Sequence, residues 1–229
     1  MIFLILAVLP AAILLFLIYR ADRVEKEPMG LLIRLFLLGA LSTIPAMFFE
    51  LCGESIFGAF LRPDSVLFIL LENFLVVALA EEGCKYFFLK KTTWNTQAFN
   101  YTFDGVVYAV VVALGFAALE NIMYVVSEAT LGIAVMRGIL SVPGHAIDGV
   151  FMGAFYGAAK FCERRGDFPG KKRNLRLALW IPVLSHGFYD FCLSMEIALF
   201  EIIFIVFEIV VTVVALRLVR RLSRGDTML

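Results

Sequence analysis

The sequence predicts an all-α fold: a polytopic transmembrane helix bundle of about seven spans plus one short interfacial or re-entrant helix. Three observations predict it. Of the 229 residues, 62% are hydrophobic, 23 are Phe and only 17% are charged, against about 25% charged in soluble domains. The mean hydropathy is +0.91. Apolar runs of about 20 residues, the length a helix needs to cross a bilayer, recur along the whole chain. A soluble domain of this size needs more polar residues on its surface. The composition also excludes disordered, collagenous and disulfide-scaffold proteins. The runs are continuous, so they do not fit outer-membrane barrel strands, which alternate apolar and polar residues.

The first span runs from Ile2 to Tyr19. It lacks a basic leading region and is long enough to cross, so it does not read as a signal peptide. The second covers Leu31 to Leu51, the third Val66 to Leu89 and the fourth Gly105 to Val126. Residues 130–140 are apolar, contain Arg137 and precede Pro143. They are too short to cross alone, so they read as an interfacial or re-entrant helix feeding the fifth span, Ser141 to Ala159. That span carries Gly149-x-x-x-Gly153-x-x-x-Gly157, a small-residue face suited to close helix packing. The sixth span is Leu177 to Leu193 and the seventh Ile197 to Leu216. Residues 1–229 therefore read as a single integral-membrane domain, with no internal repeat or linker.

Basic residues set the orientation. Net charge is zero, 20 basic against 20 acidic, yet alternate loops place every Lys and Arg except Arg62 and Arg137 on one side. That side is cytoplasmic, so the N-terminus is expected outside and the C-terminus inside. The lipid bilayer is the expected environment, and no nucleic-acid partner is expected. Cys52, Cys84, Cys162 and Cys192 read as small apolar fillers, although Cys52 and Cys192 fall near one predicted face and would permit a disulfide.

Ionisable side chains inside the spans carry the functional signal. Each costs roughly 2.5–3.5 kcal/mol at a helix centre. The third to sixth spans nevertheless hold Glu81, Glu82, Lys85, Glu120, His145, Asp148, His186 and Asp190. One shared, wet cluster is the economical solution. Glu81 and Glu82 stand four and three residues before Lys85, so both can reach its ammonium. Two adjacent carboxylates at low dielectric form a ready acid and base. His145 and Asp148 are spaced i, i+3 and His186 and Asp190 i, i+4, so each Asp is a candidate to orient its His. Asn121 is a candidate donor to a developing oxyanion, with Tyr124 one turn further on. Glu50 and Glu54 read as interfacial. Glu208 has no assigned role: pairing with Arg137, lining a cavity or holding a proton are all open.

Five ordered motifs then resemble a known family. Glu81-Glu82-Gly83-Cys84-Lys85, Asp104-Gly105-Val106-Val107-Tyr108, Leu119-Glu120-Asn121-Ile122-Met123-Tyr124, Pro143-Gly144-His145-Ala146 and Ser185-His186-Gly187-Phe188-Tyr189-Asp190 look like the PrsW family of bacterial membrane proteases. Asp22…Glu27-Pro28 is similar as well. The family is itself distantly similar to the type II CAAX prenyl endopeptidases. The resemblance implies a multi-pass peptidase of the bacterial cell membrane. It would make the first cut in a single-span, membrane-anchored anti-sigma factor, starting the regulated proteolysis that releases a sigma factor under envelope stress. It also implies that Glu81, Glu82 and His186 are active-site positions and that His145, Glu120 and Asn121 belong to the same motifs.

The expected chemistry is peptide hydrolysis, with Glu81 or Glu82 as general base and His186, oriented by Asp190, shuttling a proton or polarising the carbonyl. A zinc-type variant stands beside a metal-free one. In it His145 and His186, with Glu82 or Glu120, supply three ligands and leave an open position. A proton-coupled transporter is the rival class, because buried Glu, His and Asp also build proton relays. A CAAX-type processing peptidase with another substrate is the rival within the peptidases.

Overall fold

The computed structural model describes residues 2–128 and 130–229. Among them are ten α-helices: α1 (Ile2–Ala21), α2 (Met29–Leu41), α3 (Thr43–Phe60), α4 (Val66–Leu71), α5 (Leu79–Thr93), α6 (Asp104–Glu128), α7 (Leu131–Ile139), α8 (Ser141–Arg164), α9 (Phe168–Ser194) and α10 (Ala198–Arg224). A π-helical segment, Glu72–Ala78, joins α4 to α5. The described residues form no strand beyond one isolated bridge between Tyr101 and Met228.

Four stretches are long and apolar enough to cross a membrane: Met29–Phe60, Asp104–Ser127, Val135–Arg164 and Ala198–Arg224. The other expected crossings are helical but do not meet that test. The described apolar part of α1, Ala7–Ala21, is short. Residues 66–93 carry Glu72, Glu81, Glu82 and Lys85, and α9 opens on Lys171, Lys172 and Arg173. The short helix expected before the fifth span is α7.

The second expected span is divided at Ser42. Pro45 has no N–H to give to Leu41, which interrupts the helical ladder. Ser42 Oγ instead donates to Gly39 O at 2.6 Å and Thr43 Oγ1 to Ala40 O at 2.8 Å. The third expected span is helical throughout, with Ser65 Oγ accepting from Phe68 N at 3.2 Å at its start. Its π-helical turn lies just ahead of Glu81 and Glu82. Such turns inside α-helices often mark functional sites.

Helix α6 is the axis of the bundle. In its most apolar stretch 78% of the residues are buried, against 11% for α10, whose Ile202, Ile205 and Ile209 are exposed. An apolar surface of this kind suits lipid. The expected glycine face of α8 packs on α6. A Cβ on Gly153 would lie 2.5 Å from Gly105 O, and one on Gly149 2.9 Å from Val110 Cα. Helix α2 approaches α6 equally closely through Gly39 and Gly115. Such backbone proximity leaves no room for side chains and fixes the relative height of the helices.

At the end of the bundle holding the first loop, the C-terminal tail folds back. Asp226 Oδ1 accepts from Phe103 N at 2.8 Å and Thr102 Oγ1 at 3.0 Å, and Leu229 N donates to Asn100 O at 2.7 Å. Tyr108 donates to the buried Glu27. The four cysteines are free, Cys192 buried and Cys52 exposed.

Candidate active site

Elements α5, α6, α8 and α9 each bring ionisable side chains to one place. The convergence begins on α5, where Glu81, Glu82 and Lys85 share a face. Lys85 Nζ donates to Glu82 Oε1 at 2.7 Å and to Glu81 Oε2 at 3.0 Å. It is 1% exposed and sits 3.9 Å from the Phe116 ring centroid. A buried ammonium needs such close partners, because an unpaired charge in this environment costs several kcal/mol.

Lys85 Nζ also lies 3.0 Å from His145 Nδ1. An ammonium has only donors, so Nδ1 is the accepting nitrogen and Nε2 holds the ring proton. That proton points at Glu120 Oε2, 2.9 Å away. The partner expected for His145, Asp148, does not orient it. Asp148 lines the same cavity, and its Oδ1 is buried without a hydrogen-bond partner.

His186 faces carboxylates on both sides. Its Nδ1 is 3.0 Å from Glu82 Oε1, and its Nε2 is 3.1 Å from Asp190 Oδ2 and 3.9 Å from Glu81 Oε2. The expected i, i+4 pairing of His186 with Asp190 is present. The two imidazoles stand edge to face with centroids 5.3 Å apart. A cavity of about 810 Å³ opens onto the cluster. Of the two adjacent carboxylates Glu81 lines it, and Glu82 lies behind, 0% exposed.

Asn121 is placed elsewhere. It is fully buried, its amide donates to Ala7 O at 2.9 Å, and its Oδ1 accepts from Arg137 Nε at 3.3 Å. One of its two amide N–H groups is used in a helix contact and it does not line the cavity, so the oxyanion role expected of it finds no support. Tyr124 does line the cavity, with its ring under the Arg137 guanidinium. Glu120 is hydrogen-bonded to His145 and ion-paired with Arg137.

Two charged cavity residues escaped the sequence reading. Glu50, read as interfacial, lines the cavity. Arg137 lines it too and pairs with Glu120, not with Glu208. The one available signal for Arg137 was an uncompensated cation in an apolar segment.

The donor atoms of Glu81, Glu82, His145 and His186 all lie within 4.8 Å of one another, and all four residues are buried. Two imidazoles with carboxylates make a donor set that zinc accepts. Glu82 Oε2 is buried with no hydrogen-bond partner. His145 presents one nitrogen to the cluster while a carboxylate holds the other, the usual second partner of a metal-bound imidazole. The residues therefore fit a divalent metal. Lys85 touches three of the same four groups and balances their charge.

A family profile described as "PrsW family intramembrane metalloprotease" matches residues 27–218. Curated relatives named "Protease PrsW" are similar over most of their length. The one from Oceanobacillus iheyensis is 36% identical over 94% of this chain and 94% of its own. That from Clostridioides difficile is 33% identical over 90% of this chain and 85% of its own. That from Bacillus subtilis is 34% identical over 81% and 79% respectively. No solved structure matches.

Proposed function

This chain belongs to the PrsW family of intramembrane metalloproteases, and we propose that it cuts a single-span membrane protein at the Glu81–Glu82–His145–His186 cluster, the substrate being a membrane-anchored anti-sigma factor. The chain is a membrane protease; the substrate, and a first cut that starts sigma-factor release, are the proposal. The observation that supports it most is the meeting of Glu81, Glu82, His145 and His186 within 4.8 Å at the wall of a cavity.

Within that reading the adjacent carboxylates divide the work. Glu81 lines the cavity and serves as general base toward water. Glu82, His145 and His186 would hold the metal, leaving a position open. When bound, the metal supplies Lewis acidity to a carbonyl or water at that position. Asp190 holds His186 in place at 3.1 Å, and Glu120 does the same for His145 at 2.9 Å. Lys85 offsets the charge of the two carboxylates so that both can remain in a buried site. The topology that goes with this reading has seven crossings, an outer N-terminus and a cytoplasmic C-terminus, in keeping with the distribution of Lys and Arg.

Co-expression with a membrane-anchored anti-sigma protein tests the substrate. A shortened fragment with the parent chain and none with Glu81→Gln is expected. An intact anti-sigma protein, with cleavage of a prenylated peptide instead, would move the function to CAAX-type processing.

A further inference from the structure

We propose that Arg137 is a positioning residue of the site: it pins Glu120 so that His145 keeps Nδ1 turned toward the cluster. The inference rests on the peptidase reading for its kinetic consequence and on geometry alone for the bond network.

Arg137 lies in the last turn of α7, a helix with no other ionisable residue. Its side chain is 20% exposed and forms part of the cavity wall. The guanidinium is held on every side that the described residues show. Nε donates to Asn121 Oδ1 at 3.3 Å, Nη2 donates to Ser141 Oγ at 3.1 Å, and Nη2 is ion-paired with Glu120 Oε2 at 2.9 Å. Its carbon sits 3.8 Å from the Tyr124 ring centroid, within the range of a cation–π contact. These partners come from α6 and α8, so the fork of one side chain ties α7 to both. Asn121 fits this assignment. With its amide committed to Ala7 O, its carbonyl oxygen has to face a donor, and Arg137 is that donor.

The consequence runs through one oxygen. Glu120 Oε2 accepts from His145 Nε2 and is ion-paired with Arg137 Nη2, each at 2.9 Å. A Glu side chain has rotatable bonds, and this one borders the cavity. The ion pair with an immobilised guanidinium fixes where Oε2 stands. That in turn fixes the His145 ring, whose other nitrogen faces Lys85 Nζ at 3.0 Å. Without Arg137 the carboxylate can swing into the cavity; the ring then loses the acceptor of its Nε2 proton and is free to turn Nδ1 away from Lys85, the contact that sets the tautomer. Lys in its place supplies charge and one bond but no fork.

The chain has only two His, so the test is direct. Full-length protein labelled with ¹⁵N-histidine is compared as parent, Arg137→Lys and Arg137→Met, with His186→Gln used only to assign the signals. After chelation of the metal, the expected parent spectrum has His145 protonated at Nε2 and bare at Nδ1. Arg137→Met gives a mixture of tautomers, a kcat lower by roughly 10–100-fold with KM within about twofold, and a zinc Kd raised by roughly 10–100-fold. Arg137→Lys restores the parent tautomer and most of kcat. An unchanged His145 tautomer in Arg137→Met overturns the proposal, whatever happens to activity. A raised KM with unchanged kcat also overturns it, and makes Arg137 a substrate contact. If Arg137→Met does not fold, Arg137→Gln, which has neither the charge nor the fork, takes its place: a mixed tautomer there supports the proposal, and the parent tautomer there overturns it. A parent that cleaves nothing would sink the peptidase reading while the ring spectra still decide this one.

Discussion

Glu82 Oε1 and His186 Nδ1 lie 3.0 Å apart although 104 positions separate them in the chain. This contact joins α5 to α9. Lys85, bonded to the same Glu82 oxygen, carries the connection to His145 on α8, and His145 carries it to Glu120 on α6. One hydrogen-bonded chain thus crosses four helices. Lipid would penalise each of these groups heavily if it stood alone.

Metal dependence is the first prediction. Purified protein should hold about one divalent ion per chain, as expected of a site with three protein ligands. Chelation should abolish cleavage, and zinc should restore it. Glu82→Gln and His145→Gln should each lose the ion in elemental analysis. Full activity in verified metal-free protein would contradict the assignment of Glu82, His145 and His186 as ligands.

The second prediction concerns the α6–α8 contact. A Cβ on Gly153 would stand 2.5 Å from Gly105 O and 2.8 Å from Val106 N. Gly153→Ala must therefore push two backbones apart, at a cost of about 1–3 kcal/mol. Gly58, also helical, has nothing within 4 Å of its Cβ position. Gly58→Ala should be neutral or stabilising by up to about 1 kcal/mol. Thermal unfolding in detergent separates the two, and equal midpoints would contradict the packing.

The third prediction is a pH dependence outside the spans. Burial raises the Asp22 carboxyl to about 6 from 3.8, with Lys26 opposing and Asp226 and Glu25 adding to the effect. Both of its carboxylate oxygens are buried without hydrogen-bond partners. Glu27 beside it is also raised, first by burial. A carboxyl whose value is higher in the folded chain binds its proton more tightly there. Its contribution is full below pH 4 and is lost as pH rises through about 6. Asp22→Asn should therefore raise the unfolding midpoint at pH 7, and the gain should vanish below pH 4. A gain that is constant with pH would contradict this.

Spacing along one helix was a good guide to the site, and spacing between helices was not visible. Glu81 and Glu82 with Lys85, and His186 with Asp190, sit on their own helices at one-turn intervals, so their pairing follows from helical geometry. The same rule misassigned His145. Asp148 is within one turn of it, yet its partner is Glu120, 25 positions away on α6. Asn121 was misread because its amide is committed to a backbone carbonyl of α1, and a carbonyl leaves no mark in the sequence. Glu50 was placed by counting from the end of its span, which reports distance from the membrane surface and not access to an internal cavity. The helical class was legible throughout. Of the seven expected crossings, the four stretches that pass on length and apolarity do not include residues 66–93 or α9: Glu81, Glu82 and Lys85 lower the apolarity of the first, and Lys171, Lys172 and Arg173 that of α9.

The central claim is that the clustered carboxylates perform peptide hydrolysis. Cleavage of a co-expressed single-span substrate by Glu81→Gln and Glu82→Gln, with chain levels matched by immunoblot, tests it most directly. The account predicts that each substitution lowers cleavage by at least about 10²-fold. Undiminished cleavage in both variants would contradict it.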